Sequence, residues 1–143
     1  MALACVAAFG LLAVIQAAAA EPVSYSTGQF VINCRTDGSP QICDPPEKLK
    51  VKVKSDKVQI KHLRYVAATT HCSAGRVLVR LDGDKVGQTD YVNAGEEAIV
   101  DDLKVTLHPG THKFAFRIQG KTGGCNVGSV GSWGGKITLK GTK

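Results

Sequence analysis

Hydrophobic and polar residues alternate with a period of two along most of the chain after its first twenty residues. Leu49, Val51 and Val53, for example, are separated by lysines. This alternation is typical of a β-strand with one buried face, and no stretch shows the spacing of an amphipathic helix. The pattern predicts nine strands, at residues 29–33, 48–54, 57–65, 76–81, 85–87, 97–100, 104–107, 113–119 and 136–140.

Short strands separated by turn-forming residues favour an all-β fold. We expect an antiparallel β-sandwich of the immunoglobulin-like (Ig-like) kind, tied by two disulfides. A small β-barrel is the alternative, because alternation alone does not encode the order of the strands.

The clearest local pattern joins the segments 48–54 and 57–65. We interpret them as a hairpin closed by a two-residue turn at Ser55-Asp56, which would place Lys50 opposite Lys61 and Lys54 opposite Lys57. The apolar positions change phase after Ile60, so we also expect a β-bulge near residues 61–62.

A second stretch, residues 75–120, combines alternating strands with strong turn signals. Asp82-Gly83 predicts a tight hairpin turn and Pro109-Gly110 a second turn, because glycine adopts the positive φ that such turns need. The elements of this pattern are Val77-x-Val79, Asp82-Gly83, Val86-Gly87-x-Thr89 and Leu107-x-Pro109-Gly110-x-His112. The pattern resembles the PEGA-type surface modules of bacteria and, more loosely, Ig-like extracellular sandwiches. This resemblance implies a small β module on an exported protein, with no catalytic residues to carry over.

Residues 1–20 carry no charge and consist mostly of apolar residues and alanines. Ala18-x-Ala20 before Glu21 is typical of a signal-peptide cleavage site. We therefore predict a signal peptide at 1–20 and one secreted, periplasmic or extracellular domain at 21–143. The stretch is short for a membrane anchor, so we do not expect a membrane-spanning protein.

Four cysteines lie after the predicted cleavage site, and an even number in an exported chain indicates disulfides. Of the three possible connectivities we favour Cys34–Cys43 and Cys72–Cys125. The first pair closes a short polar loop that contains Arg35, and the second closes the stretch 75–120.

Charge gives the main functional signal. The formal net charge is +6, and the segment 48–64 holds seven basic residues and one acid, which equals this whole excess. The candidate ligand-binding residues are Lys48, Lys50, Lys52, Lys54, Lys57, Lys61 and Arg64. They predict a face for an anionic polysaccharide or a cell-envelope surface. The alternative is a solvated edge that lysines protect from aggregation. Nucleic acid is not expected, because the chain is poor in the aromatic residues on which bases stack.

Trp133 is a further candidate ligand-binding residue, because it follows a glycine-rich segment and could stack on a sugar ring; the alternative is a tryptophan in the core. The chain lacks the common hydrolase and metalloprotease motifs. His108 and His112 are spaced across a turn rather than along one helix face, so we expect no metal and no cofactor.

Three functions remain open from the sequence. The first is a secreted, non-catalytic binding module for an anionic or polysaccharide surface, which uses the lysine-rich hairpin. The second is a protein-interaction or inhibitor module that presents Arg35 on the Cys34–Cys43 loop. The third is a purely structural surface module.

Overall fold

The computed structural model describes residues 22–34, 42–124 and 133–143. These residues form β-strands and no helix. The strands are β1 (Ser24–Ser26), β2 (Phe30–Cys34), β3 (Ile42–Cys43), β4 (Leu49–Val53), β5 (Val58–Ala67), β6 (Gly75–Leu81), β7 (Asp84–Gln88), β8 (Glu97–Val100), β9 (Val105–Leu107), β10 (Gly110–Gly120) and β11 (Trp133–Thr142).

The strands form two antiparallel sheets. In sheet 1, β11 and β5 pair with each other at the centre. Strands β1 and β2 pair with β11 on the side away from β5, and β8 and β9 pair with β5 on the side away from β11. In sheet 2, β10 and β6 are the central pair; β3 and β4 pair with β10, and β7 pairs with β6.

One hydrophobic core lies between the sheets. Alternate residues of each strand are buried, such as Ile60 of sheet 1 and Val79 of sheet 2. The rings of Phe30 and Phe116 meet across the sheets with their centroids 5.7 Å apart. Each fully buried large apolar side chain contributes roughly 1.5–3 kcal/mol to stability. The predicted antiparallel β-sandwich is confirmed, whereas the Ig-like assignment and the resemblance to PEGA-type modules stay predictions.

The nine predicted strands all occur, with ends that differ by a few residues. Strands β1 and β3 were not predicted, because three and two residues are too short to show alternation. The tight turn at Asp82-Gly83 is confirmed, with φ of 50° and 110° at these two residues. The bulge is also confirmed: Lys140 lies opposite His62 and Gly141 opposite Ile60, so Lys61 is the additional residue.

The predicted hairpin of 48–54 with 57–65 is wrong. Strand β4 pairs with β10 in sheet 2, whereas β5 belongs to sheet 1. Val53 and Val58 are both buried, and they reach the same core from opposite sheets. Ser55-Asp56 therefore lies in a link between sheets. Alternation is the same whether two strands lie side by side or on opposite sides of a core, which is why the sequence did not distinguish these arrangements.

The predicted signal peptide lies outside the described residues. So do Cys125 and the side chain of Cys34, and both disulfide pairings therefore stay predictions. In the part of the chain that the structure describes, no helix is long and apolar enough to cross a membrane.

Candidate anion-binding face

The outer surface of sheet 2 concentrates positive charge. The inward positions of its strands hold core residues such as Phe114 and Val79, so the intervening side chains point away from the core. Seven of these outward side chains are basic, and we call this surface the basic face. Its members are Lys50 and Lys52 on β4, Lys113 and Arg117 on β10, Arg76 and Arg80 on β6, and Lys85 on β7.

The strand register places these residues at successive levels along β10. Lys52 lies opposite Thr111, and Lys50 lies opposite Lys113. The next levels pair Ala115 with Arg80, Arg117 with Leu78, and Gln119 with Arg76; Lys85 in turn lies opposite Arg80. Each of the five levels therefore carries at least one basic side chain.

Among the described residues, the basic face holds one ion pair with a carboxylate. Arg117 donates two hydrogen bonds to Asp44, from Nε to Oδ1 and from Nη2 to Oδ2, each 2.7 Å long. This bidentate contact holds the pKa of the Asp44 carboxyl below its usual range and raises that of the Arg117 guanidinium. The pair is largely exposed, so it adds little stability.

The other two arginines are positioned by neutral partners. Arg76 donates from Nε to Gln119 Oε1 at 2.9 Å, and its guanidinium carbon lies 4.8 Å from the centre of the Tyr91 ring. Arg80 donates to the carbonyl oxygen of Gly83 at 3.3 Å. These contacts orient the guanidinium groups without an ion pair, so both remain available to a ligand, although the charge of Arg80 also acts on Asp44 at longer range.

The lysines are still less constrained. Lys85 Nζ donates to Gln88 Oε1 at 2.7 Å. For Lys50, Lys52 and Lys113, no carboxylate among the described residues lies within ion-pairing distance. Lys50 and Lys113 are directly opposed, and like charges in that position destabilise a sheet.

The outer surface of sheet 1 has a different charge arrangement. Arg64 Nε donates to Glu97 at 2.8 Å, and His62 Nδ1 lies 3.0 Å from an Asp101 oxygen. The exposed Lys136 is opposite Val31 and Val66, so it has no charged residue directly across from it. This surface therefore mixes both signs of charge, whereas Asp44 is the one ion-paired acid described on the basic face.

The structure divides the predicted lysine cluster. Lys50 and Lys52 lie on the basic face, with the exposed Lys48 just before β4. Lys54 and Lys57 lie in the link between the sheets, whereas Lys61 and Arg64 belong to β5 of sheet 1. The prediction of one continuous face formed by these seven residues is therefore wrong, because it depended on the hairpin.

Trp133 does not present its ring to solvent. It is the first residue of β11 and only 1% exposed, so the expectation of surface stacking on a sugar is not met. Its ring lies 6.0 Å from that of the buried His71, and His71 Nε2 is 3.0 Å from both the backbone nitrogen and the backbone oxygen of Gly134. Burial lowers the pKa of His71, so the neutral form is favoured in this contact.

Five members of the basic face were missed by the sequence analysis. They are Arg76, Arg80, Lys85, Lys113 and Arg117. Arg76 and Arg80, like Lys113 and Arg117, lie four positions apart within alternating strands, and this even spacing places each pair on one outward face. This signal was present, but it points to a common surface only when β10 is known to lie between β4 and β6.

The other two candidate sites are the loop that carries Arg35 and a metal-binding site. Arg35 and the loop between Cys34 and Cys43 lie outside the described residues. Within the described ranges, no group of three or more His, Cys, Asp or Glu side chains could hold a metal ion.

No family model matches this chain, and no curated protein matches it significantly. Among solved structures, the chain is similar to a chain in the structure of infectious bursal disease virus, Gt strain, with a TM-score of 0.41 and 14% identity; the match covers 96% of this chain and 37% of the viral one. It is also similar to a family 35 carbohydrate binding module from Clostridium thermocellum, with a TM-score of 0.38 and 14% identity, over 85% of this chain and 97% of the module. Similarities at this level carry no argument about function.

Proposed function

We propose that this chain is a secreted, non-catalytic binding module and that it binds an anionic polymer through the basic face. The observation that carries the proposal is the register of sheet 2, which gathers seven basic side chains on one outward surface; in the part of the chain that the structure describes, Asp44 is the one acid ion-paired with them. A surface of one sign attracts polyanions and releases their counterions on binding.

An anionic polysaccharide of the cell surface or matrix fits this surface better than an inhibitor target does. The basic face is a row of exposed side chains on regular strands, and such a face suits contacts repeated along a polymer. Protein inhibitors usually depend on one projecting loop rather than on such a row.

The two proposed disulfides are compatible with the placement of the described cysteines. Cys43 is buried in sheet 2, and Cys34 ends β2 in sheet 1, so a bond between them would connect the sheets. A Cβ atom on Gly124 would lie 3.0 Å from Cβ of Ser73, which brings the residues that adjoin Cys125 and Cys72 close together.

Binding to a sulfated polysaccharide across a salt series tests the proposal. We compare the wild-type protein with the double variant Lys50→Gln/Arg80→Gln and with the matched control Lys136→Gln/Lys140→Gln on sheet 1. The wild type and the control should bind with an affinity that falls steeply as salt increases, and the basic-face variant should bind at least tenfold more weakly. Equal loss in both variants, or no binding by the wild type, would refute the proposal.

A further inference from the structure

We infer that the basic face takes a linear polyanion that lies along β10, and that Asp44 limits its affinity by occupying Arg117. This inference rests on the proposed function and specifies the shape of the ligand.

The charges form an elongated strip. Successive outward residues on a strand are about 7 Å apart, so the five levels from Thr111 to Gln119 span about 27 Å. Neighbouring strands are about 4.8 Å apart, so the four strands from β4 to β7 make the strip about 14 Å wide, roughly half its length. It begins with Lys52 and Lys50 on β4 and ends with Arg76 on β6, so its course is slightly diagonal to β10.

A small anion would use little of this strip. A single phosphate or sulfate group reaches the side chains of one or two levels, and none of the four cavities described for this structure is lined by a basic-face residue. A polymer with repeated charges contacts every level, so each added contact strengthens its binding.

The composition of the strip favours an anionic glycan over nucleic acid or a membrane. Tyr91 is the one aromatic side chain described at the strip, and its ring is already covered by Arg76. Base stacking needs several free aromatic faces. Leu78 and Ala115 are half-buried between the cations, so they offer no exposed apolar group that could insert into a bilayer.

Asp44 lies on the strip in direct competition with a ligand. Its carboxylate occupies the bidentate donor pair of Arg117, which a sulfate or carboxylate of the ligand would otherwise use. Binding of the polymer at this level must therefore displace Asp44. Removal of the acid should free Arg117 and increase the affinity.

Sized oligomers of a sulfated glycan test this arrangement. We use oligomers shorter than the strip, equal to it and twice its length, with single-stranded DNA of equal charge and anionic vesicles for comparison. Affinity should rise at least tenfold as the oligomer reaches the length of the strip and then change by less than about threefold. The steepness of the salt dependence should likewise increase up to that length and then level off. Affinity that does not depend on oligomer length would overturn the inference while leaving the proposed function intact, whereas failure of every glycan would overturn both. Equal or tighter binding of DNA or vesicles would show that the ligand class is wrong.

The role of Asp44 is tested separately with Asp44→Asn. Its matched control is Asp101→Asn on sheet 1, which removes the same charge and also breaks one pair, that with His62. Asp44→Asn should raise the affinity for the oligomer of strip length by about three- to tenfold, and the control should change it by less than twofold. Unchanged or weaker binding of Asp44→Asn would show that Arg117 does not take part.

Discussion

The opposed pair Lys50 and Lys113 predicts that one substitution will stabilise the protein and weaken its binding. The two lysines are directly across from each other on β4 and β10. Lys50→Glu would convert this repulsion into attraction while keeping the backbone pairing. Lys52 is the next outward residue on β4, so the new carboxylate would have cations on more than one side.

The magnitude follows from Coulomb's law. Two like charges about 7 Å apart in water repel by about 0.6 kcal/mol, and screening at physiological salt reduces this to about 0.25 kcal/mol. Reversal of one sign therefore raises the free energy of unfolding by about 0.5 kcal/mol at 0.15 M salt and by about 0.9 kcal/mol at 0.01 M. Urea unfolding at the two salt concentrations measures this change, and binding to the sulfated polysaccharide should weaken at least tenfold in the same variant.

Lys136→Glu is the matched control, because it makes the same change in net charge on sheet 1. Val31 and Val66 lie opposite this position, so no cross-strand ion pair forms. We expect its stability and its binding to stay close to those of the wild type. If Lys50→Glu destabilises the protein at both salt concentrations, or if its effect on stability does not depend on salt, the electrostatic reasoning is wrong.

Three further predictions concern stability. Gly141→Ala should destabilise the protein by about 2 kcal/mol or more in urea unfolding, because the new Cβ would collide with the backbone oxygen of Gln59 at the bulge; an unchanged midpoint would contradict this close approach. The hydrogen bond of His112 to the backbone oxygen of His108, together with its contact with Asp82, raises the pKa of the imidazole, and the contact lowers that of the Asp82 carboxyl. The contribution of this pair to stability should be fully present between about pH 4 and 6.5, lost as the pH rises through the raised pKa of His112 and lost as it falls through the lowered pKa of Asp82. Unfolding of His112→Asn against pH should lack the change at the pKa of His112 and show a smaller acid change, because the backbone N–H of Lys113 still donates to Asp82; an unaltered profile would refute the assignment. Finally, if the proposed Cys72–Cys125 disulfide forms, Cys72→Ser should lower the free energy of unfolding by about 3–4 kcal/mol. Mass spectrometry of the alkylated wild-type protein should then find no free thiol.

The sequence was sufficient to predict strands but not their neighbours. Alternation identified β4 and β5 and even the bulge at Lys61, because each depends on residues close together in the chain. The partner of β4 is β10, about sixty residues later, and no local feature of the chain encodes that pairing. The sheet to which each strand belongs follows from packing of the whole core, so the predicted hairpin failed although both of its strands were correct.

The same limit explains the error in the candidate site. A count of charges along the chain found the segment 48–64, whereas a ligand meets charges that share a surface. Because of the strand order, Lys61 lies on sheet 1 and not on the basic face, whereas Arg117 lies on the basic face although it is distant in the sequence. Charge patterning along a β chain therefore identifies outward positions, and only the topology determines which of them act together.

The topology also separates the two explanations for the lysines. Protection of an exposed edge against aggregation places lysines on edge strands. That reasoning accounts for Lys50 and Lys52 on β4 and for Lys85 on β7, which lie at the two sides of sheet 2. Four of the seven cations lie on the central strands β10 and β6, which have partners on both sides and need no such protection. A merely solvated surface would also be expected to carry both signs of charge, as sheet 1 does with its pairs of Arg64 with Glu97 and His62 with Asp101. The concentration of one sign on central strands, despite the repulsion that it causes, is what a binding surface for a polyanion requires.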